Sequence, residues 1–384
     1  MGLLALTNNV YSPQPTDKQL ESTMKRSIGG CEPPIKVLSL DGGGVRGLFT
    51  ISVLAELERN IEQETGKSDV KIGSYFDLIT GTSIGGILAL GLAKGLSARD
   101  LKDTFRSNAQ LIFPPRKKGF LAKFSIFLKK MTKASYDTKP LLDTVSKIVG
   151  PETRFKDLSK RVMIPTINLS TGEPQFFKTP HNPLFVRDGR LKLLDAALAT
   201  SAAPTYFAPH YWADLRSYFA DGGLVANNPS FIGLHEVLRD MQSDFPDAAV
   251  SNIKILNIGT LGNKYSIAPE TLGKSASKSG YTNLWGFGER LVLATMTANQ
   301  VLHQNMLIRE LESHNAKDNY IFLNDTVSNE AAADITLDNA STASLDNLES
   351  RGQQVGVVSY TKNEALRVLF HKETKPFIPQ RNAS

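Results

Sequence analysis

Short apolar runs alternate with helix-spaced apolar positions along most of the chain. A largely apolar run from Val37 to Leu40 is followed by apolar residues at helical spacing from Leu48 to Ile61. The same order returns at Phe76 to Thr80 and Ile84 to about Lys94. Further strands are predicted at Arg161 to Leu169, Tyr218 to Ala220, Ile253 to Ile258 and Tyr320 to Leu323. Strands that alternate with helices predict an α/β fold with a mainly parallel central sheet flanked by helices on both faces.

The composition divides the chain into four stretches. Residues 1–34 are polar and turn-rich, which predicts a flexible N-terminal leader. Residues 35–240 hold the motifs described below, residues 241–330 continue the same α/β domain, and residues 331–384 form a C-terminal extension. With 384 residues and 41% hydrophobic content, the chain can bury a large core.

Cysteine content and hydropathy narrow the class of protein. The single cysteine, Cys31, excludes an internal disulfide framework and indicates a reducing compartment. The chain contains no uninterrupted stretch of about 18 apolar residues, so we expect no membrane-spanning helix. The N-terminus lacks the basic region of a secretory signal. We therefore expect a cytoplasmic protein that binds peripherally at the inner face of the membrane, for the reason that follows.

The net charge of +6 comes from one short segment. Seven basic residues and no acidic residue lie between Arg116 and Lys133, and subtracting these seven charges leaves −1 for the rest of the chain. A nucleic acid polymer as partner is disfavoured by so local a patch. The segment is also amphipathic, with Phe120, Phe124, Phe127, Leu128 and Met131 opposite Lys123, Lys129, Lys130 and Lys133.

An apolar face opposite lysines is typical of a helix that lies in a membrane interface. We predict contact with an anionic phospholipid surface through Lys123, Phe124, Phe127 and Lys130. A surface helix that packs its apolar face on the core remains an equal alternative. Trp285 and Phe287, which lie between glycines, are a second candidate for an apolar lip.

A glycine loop runs from Asp41 to Gly47, after the first predicted strand and before the first helix. It contains GxGxxG, which in this setting can bind a dinucleotide, and Glu62 and Glu64 lie near the distance expected of a ribose-binding acid. Converging glycine N–H groups can equally hold an oxyanion. A nucleotide site and an oxyanion hole both fit the loop alone.

The stretch GTSIGG places Ser83 in a GxSxG setting between a predicted strand and a predicted helix. This context is typical of a nucleophile elbow, in which Gly81 and Gly85 allow strand and helix to approach closely. The N-terminus of the following helix favours the negative charge that develops during attack.

A serine nucleophile needs a base. Asp221 ends a predicted strand and precedes Gly222, a position from which a carboxylate can take the serine proton directly. A Ser–Asp–His triad is the alternative, and its histidine would be one of His181, His210, His235, His303, His314 and His371.

The three motifs, together with the stretch from Ala199 to Phe207, resemble the patatin-like phospholipase family over roughly residues 35–240. The resemblance implies a three-layer α/β fold, membrane phospholipid as substrate, and no metal or other cofactor. It also implies a role for each matching residue: a Ser–Asp dyad of Ser83 and Asp221, an oxyanion loop of Gly42, Gly43 and Gly44, support of the loop or the headgroup by Arg46, and close packing at Gly81, Gly85 and Gly222.

The layout of leader, hydrolase motifs and C-terminal extension also resembles bacterial patatin-like effectors that cyclic nucleotides switch on in antiphage defence. This resemblance implies a cyclic nucleotide activator, and a homo-oligomer is a further expectation. The alternatives are a general lipid acyl hydrolase without a defence role, and a nucleotide-binding regulatory module built on the GxGxxG loop.

Overall fold

The computed structural model of the chain describes residues 33–114, 134–261, 285, 288–326 and 335–379. The chain divides into two units, Met1–Pro34 and Ile35–Ser384, and every element named below belongs to the second unit.

Eight strands form one sheet across the described residues. They are β1 (Ile35–Leu40), β2 (Leu78–Gly81), β3 (Arg161–Asn168), β4 (Glu173–Lys178), β5 (His210–Trp212), β6 (Ser217–Asp221), β7 (Ile253–Ile258) and β8 (Tyr320–Leu323). The strand order is β5-β6-β3-β2-β1-β7-β8, and β4 also pairs with β3.

The α-helices described are α1 (Gly47–Thr65), α2 (Ile84–Ala93), α3 (Ala98–Ile112), α4 (Lys139–Val149), α5 (Leu193–Thr200), α6 (Gly223–Ala226), α7 (Ser230–Asp240), α8 (Glu289–Ser313), α9 (Thr342–Lys362) and α10 (Glu364–Leu369). Local chemistry sets several ends. The helix α1 stops where Gly66 takes a left-handed φ of 69°, and α3 starts where the Ser97 side chain accepts from the Asp100 N–H.

Strand pairing confirms the predicted parallel sheet. β1 pairs in parallel with β2 and β7, β2 with β3, and β7 with β8. The pairs β3–β4, β3–β6 and β5–β6 are antiparallel, so one end of the sheet is mixed. The sequence pattern missed β4 and β5, because β4 begins with exposed residues and β5 has only three.

The core lies on both faces of the sheet, which confirms the three-layer α/β architecture. Successive side chains of a strand point to opposite faces. Leu38 and Leu40 of β1 accordingly belong to the cluster that packs against α1 and α2, whereas Val37 packs with Leu234 of α7 and Leu307 of α8.

Residues from the end of the chain join the main core. α9 lies against α1 so closely that a Cβ added to Gly352 would come within 2.6 Å of the Phe49 carbonyl oxygen. Leu348 of α9 is buried in the same cluster as α1. In the preceding segment, the Leu337 carbonyl accepts a 2.8 Å hydrogen bond from the N–H of Val45, in the glycine loop.

Candidate active site

Ser83 occupies a strained turn between β2 and α2. Its φ of 56° and ψ of −126° are rare for a residue with a side chain and are typical of a residue held in place for function. The turn depends on close approach of backbone, since a Cβ on Gly85 would lie 2.8 Å from the Asp41 carbonyl oxygen. A Cβ on Gly81 would lie 2.9 Å from the Gly86 nitrogen.

The sheet brings Asp221 to this serine from 138 positions away in sequence. Ser83 Oγ donates a 2.7 Å hydrogen bond to Asp221 Oδ2. The other carboxylate oxygen, Oδ1, accepts from the N–H of Gly223 at 2.7 Å. A Cβ on Gly222 would collide with the Pro165 carbonyl of β3, so only glycine lets this loop lie against the sheet.

Asp221 is fully buried, and burial raises the pKa of its carboxyl to about 7. The hydrogen bonds donated by Ser83 and by the Gly223 N–H oppose that rise because they stabilise the charged form. A carboxylate with a pKa near neutrality is a stronger base than an exposed aspartate and is still ionised in part at pH 7.

The glycine loop ends beside the same serine. The Gly42 N–H donates to the Asn227 carbonyl at 2.9 Å. For the N–H groups of Gly43 and Gly44, no acceptor lies within the described part of the chain. Gly44 lines the pocket that also holds Ser83 and Asp221, so its amide is placed to receive a developing oxyanion.

Arg46 lies at the end of this loop. Its Nε donates to the Gly43 carbonyl at 3.4 Å, and burial lowers the pKa of the guanidinium to about 10. It remains a cation at neutral pH and belongs to the same helical turn as Gly44.

The stretch from Ala199 to Phe207 supports the site from the other side. The Ser83 N–H donates to Thr200 Oγ1 at 3.1 Å, and that hydroxyl donates to the Pro165 carbonyl at 2.6 Å. The Asp221 N–H donates to the Ala202 carbonyl at 3.0 Å. This stretch therefore fixes the backbone of both dyad residues.

An apolar pocket opens directly onto the dyad. It is lined by Gly44, Ser83, Ser201 and Asp221 together with the largely apolar residues Ile84, Ile87, Phe105, Ile112, Phe113, Leu141, Ala203, Tyr206, Phe207, Met296 and Leu337. Aliphatic and aromatic walls of this kind suit a hydrocarbon chain.

A buried polar network that the sequence did not predict underlies the glycine loop. Asp41 accepts from Asn257 Nδ2 at 2.8 Å and from Gln300 Nε2 at 3.1 Å. Burial raises the pKa of Asp41 to about 8, against the hydrogen bond from Asn257. Single amides on β7 and α8 belong to no motif, and only the folded chain brings them to the loop.

None of the six histidines contacts the dyad, so the triad alternative finds no support. His181 is buried and bonds Glu236 Oε1 at 2.8 Å, and His210 bonds Asp195 at 3.0 Å. His235 packs on the Phe231 ring, His303 is half-buried with a pKa lowered by burial, and His314 and His371 are exposed.

The two acidic residues that the dinucleotide interpretation assigned to the ribose do not lie at the loop. Glu62 lies near the far end of α1, roughly 20 Å along the helix from the loop. There it pairs with Arg99, and Glu64 accepts from the Tyr360 hydroxyl. Both carboxylates are occupied and neither faces the glycines.

The predicted membrane contacts Lys123, Phe124, Phe127 and Lys130 lie outside the described residues, as does Phe287, whereas Trp285 is described and partly buried. Over the ranges that the structure describes, no helix has the length and apolar character to cross a membrane. Within those same ranges no group of histidine, cysteine and carboxylate residues is arranged to hold a metal ion.

Comparison with known proteins agrees with this geometry. A model of the patatin-like phospholipase family matches residues 38–232, which include the glycine loop, Ser83 and Asp221. The chain is 61% identical over 346 residues to a cGAMP-activated phospholipase of Vibrio cholerae serotype O1, covering 89% of this chain and 96% of that protein. A cGAMP-activated phospholipase of Escherichia coli is 59% identical over 348 residues, covering 90% of this chain and 95% of that protein.

More distant similarities extend to plants. Patatin-like protein 1 of Arabidopsis thaliana is 28% identical over 357 residues, or 86% of this chain and 83% of that protein. Among solved structures, the crystal structure of VipD from Legionella pneumophila matches with a TM-score of 0.41 and 13% identity, covering 88% of this chain and 67% of that chain.

Proposed function

The chain belongs to the patatin-like phospholipase family, and from that premise we propose that it is a serine acyl hydrolase that cleaves fatty-acyl esters of membrane phospholipids with a Ser–Asp dyad. The observation that carries the proposal is the 2.7 Å hydrogen bond from Ser83 Oγ to Asp221 Oδ2, two residues that line an apolar pocket. Nucleophile, base and acyl-binding walls thus meet at one point.

In the first half-reaction, Ser83 Oγ attacks the ester carbonyl carbon while its proton passes to Asp221 Oδ2. The N–H groups of Gly43 and Gly44 bind the oxyanion of the tetrahedral intermediate, with the Gly42 amide engaged in holding the loop. Collapse of the intermediate breaks the ester bond, and the leaving alcohol, a lysolipid, takes the proton from Asp221. The acyl chain stays on Ser83.

In the second half-reaction, water attacks the acyl-enzyme and gives its proton to Asp221. The second tetrahedral intermediate releases the fatty acid, and Ser83 Oγ regains a proton from Asp221. Throughout, the acyl chain lies along the walls formed by residues such as Ile87, Phe105 and Phe207. Arg46 is positioned to support the loop or to attract the phosphate of the substrate.

We propose in addition that a cyclic dinucleotide activates the enzyme. Two relatives, 61% and 59% identical along about nine-tenths of this chain, are both named for activation by cGAMP. At that level of identity a shared mode of control is the simplest expectation. We further propose a role in antiphage defence, with the protein peripheral at the inner face of the membrane and its basic segment on anionic lipid.

The test is fatty-acid release from phospholipid vesicles by purified protein, with and without cGAMP. We expect release that depends on cGAMP in the parent. Ser83→Ala and Asp221→Asn each lose at least ~10³-fold in rate, because they remove the nucleophile and the proton acceptor. His210→Ala, a matched change at a polar residue outside the dyad, keeps most of the activity.

Three results would contradict parts of the proposal. Near-normal turnover in a folded Ser83→Ala variant would rule out Ser83 as the nucleophile. A folded histidine variant as inactive as Ser83→Ala would restore the triad. Release that is equal with cGAMP, with cyclic di-GMP and without either would remove the activator while leaving the hydrolase in place.

A further inference from the structure

The middle of α8 contacts both catalytic loops through two adjacent amide side chains. We infer that Asn299 and Gln300 are positioning residues, which hold the loop that carries Asp221 and the glycine loop in one relative geometry. The inference rests on the proposed function, because it assigns these residues a part in that reaction.

Asn299 replaces a backbone hydrogen bond in α6, the short helix after Asp221. In a regular helix the Asn227 N–H would donate to the Gly223 carbonyl, four residues earlier. Here the Asn227 N–H donates to Asn299 Oδ1 at 2.8 Å, and Asn299 Nδ2 donates to the Gly223 carbonyl at 2.7 Å. The side-chain amide of Asn299 therefore lies between a backbone N–H and a backbone carbonyl that would otherwise bond each other, and it forms a hydrogen bond with each of them.

The contact between Asn299 and Gly223 affects Asp221, the proposed base, because Gly223 is also a hydrogen-bond partner of Asp221. The Gly223 N–H donates to Asp221 Oδ1 at 2.7 Å and so stabilises the ionised carboxylate. A displacement of Gly223 lengthens that bond. Asn299 thus acts on Asp221 through the backbone and touches neither substrate nor the reacting atoms.

Gln300 makes the matching contacts on the oxyanion side. Its Nε2 donates to Asp41 Oδ2 at 3.1 Å, directly before the oxyanion glycines, and its Oε1 accepts from Asn227 Nδ2 at 2.7 Å. Asn227 in turn receives the Gly42 N–H on its carbonyl at 2.9 Å. Asn227 therefore links the two loops. Residues of α8 bind both its backbone N–H and its side-chain amide.

The helix α8 is long and is packed into the core, so it can hold these contacts in place. Its 25 residues extend about 37 Å, and Leu307 and Leu311 anchor one end in the core on the far face of the sheet. Met296 forms part of the pocket wall near the dyad. A single rigid element therefore fixes the spacing between proton acceptor and oxyanion donors, for which a misplacement of about 1 Å costs on the order of 10²-fold in rate.

The experiment compares Asn299→Ala, Asn299→Asp and Gln300→Glu with the control Asn305→Ala, an exposed asparagine on the same helix. Steady-state hydrolysis of a soluble short-chain ester is measured with cGAMP present over a range of pH, and thermal unfolding checks the fold. We expect kcat to fall by about 10- to 100-fold in the three variants with KM within about twofold of the parent. The acid limb of the kcat/KM profile of Asn299→Ala should move to higher pH. The hydrogen bond from the Gly223 N–H to Asp221 weakens in this variant, and the pKa of Asp221 therefore rises.

The aspartate variant gives an internal check, since its side chain can still accept from the Asn227 N–H but cannot donate to the Gly223 carbonyl. Variants that unfold at lower temperature yet keep the parental kcat and pH profile would show a purely structural role and overturn the inference. If the Asn299 variants do not fold, the Gln300→Glu variant decides it by the same criterion. A parent that hydrolyses no ester with cGAMP present would overturn the proposed function and this inference together.

Discussion

At the scale of single residues, the sequence predicts the proposed catalytic pair, which the structure brings within hydrogen-bond distance, but it does not predict the residues around that pair. Ser83 and Asp221 stand in short motifs whose glycines are required by close backbone approach, so a few neighbouring letters predict them. Asn257 and Gln300 also contact the site, but each is one amide in an ordinary strand or helix. Gln300 meets Asp41 across 259 positions of sequence, and only packing of the whole domain produces that contact.

The buried carboxylate of Asp221 predicts how activity depends on pH. The base must be ionised to accept the Ser83 proton, and burial raises its pKa to about 7. Below that pH the protonated form accumulates, so kcat/KM for a soluble ester should fall by about tenfold for each pH unit. Stopped-time assays with cGAMP present, from pH 5 to 9, will measure the profile. A rate that stays flat from pH 5.5 to 8.5 would show that Asp221 is not the titrating base.

At the scale of elements, periodicity predicted the parallel strands and the helices that follow them. The strands at β7 and β8 match their predicted bounds, and β1 and β2 match within two residues at each end. The pairing of β6 beside β3 could not be predicted, because antiparallel registry depends on residues distant in sequence. The two overlooked strands lie in that same mixed part of the sheet.

The crossing of α9 over α1 makes a prediction about stability. A methyl group on Gly352 would lie 2.6 Å from the Phe49 carbonyl oxygen and 2.7 Å from the Ser52 Cβ. Gly352→Ala should therefore lower the free energy of unfolding by about 1–3 kcal/mol, although alanine favours helix by about 1 kcal/mol. Urea unfolding monitored by circular dichroism will measure this. Gln354→Ala, on the exposed side of α9, is the control and should be neutral; a Gly352→Ala protein at least as stable as the parent would mean that the helices can separate freely.

At the scale of the whole molecule, the sequence carries two signals, the alternation of strands with helices and the distribution of charge along the chain. The sequence predicted the α/β class correctly, since alternating strands and helices leave few other arrangements. How the residues after 335 take part was not predictable, because their contacts with α1 and the glycine loop come from tertiary packing. The segment from Arg116 to Lys133 carries more positive charge than the net charge of the whole chain.

The positive charge of the segment from Arg116 to Lys133 predicts binding to anionic membranes, which can be tested. Replacing Lys123, Lys129, Lys130 and Lys133 by glutamine should weaken sedimentation with anionic vesicles, at about 1 kcal/mol for each charge near the surface. Hydrolysis of a soluble ester should be unchanged, and added salt should weaken binding by the parent. The control replaces four exposed lysines elsewhere, Lys67, Lys71, Lys317 and Lys362, and so removes the same charge. Equal loss in both quadruple variants would mean that net charge, and not this segment, governs attraction to the membrane.

The contact between the Val45 N–H and the Leu337 carbonyl has a consequence for the timing of activity during synthesis. The glycine loop leaves the ribosome early, but its partner is made nearly three hundred residues later, which at ordinary translation rates is about 15–60 s. Over that interval the nascent chain holds Ser83, the proposed nucleophile, while its glycine loop still lacks the contact with Leu337. We expect the cell to be shielded in this way from a half-made enzyme that would otherwise attack its own membrane while still attached to the ribosome.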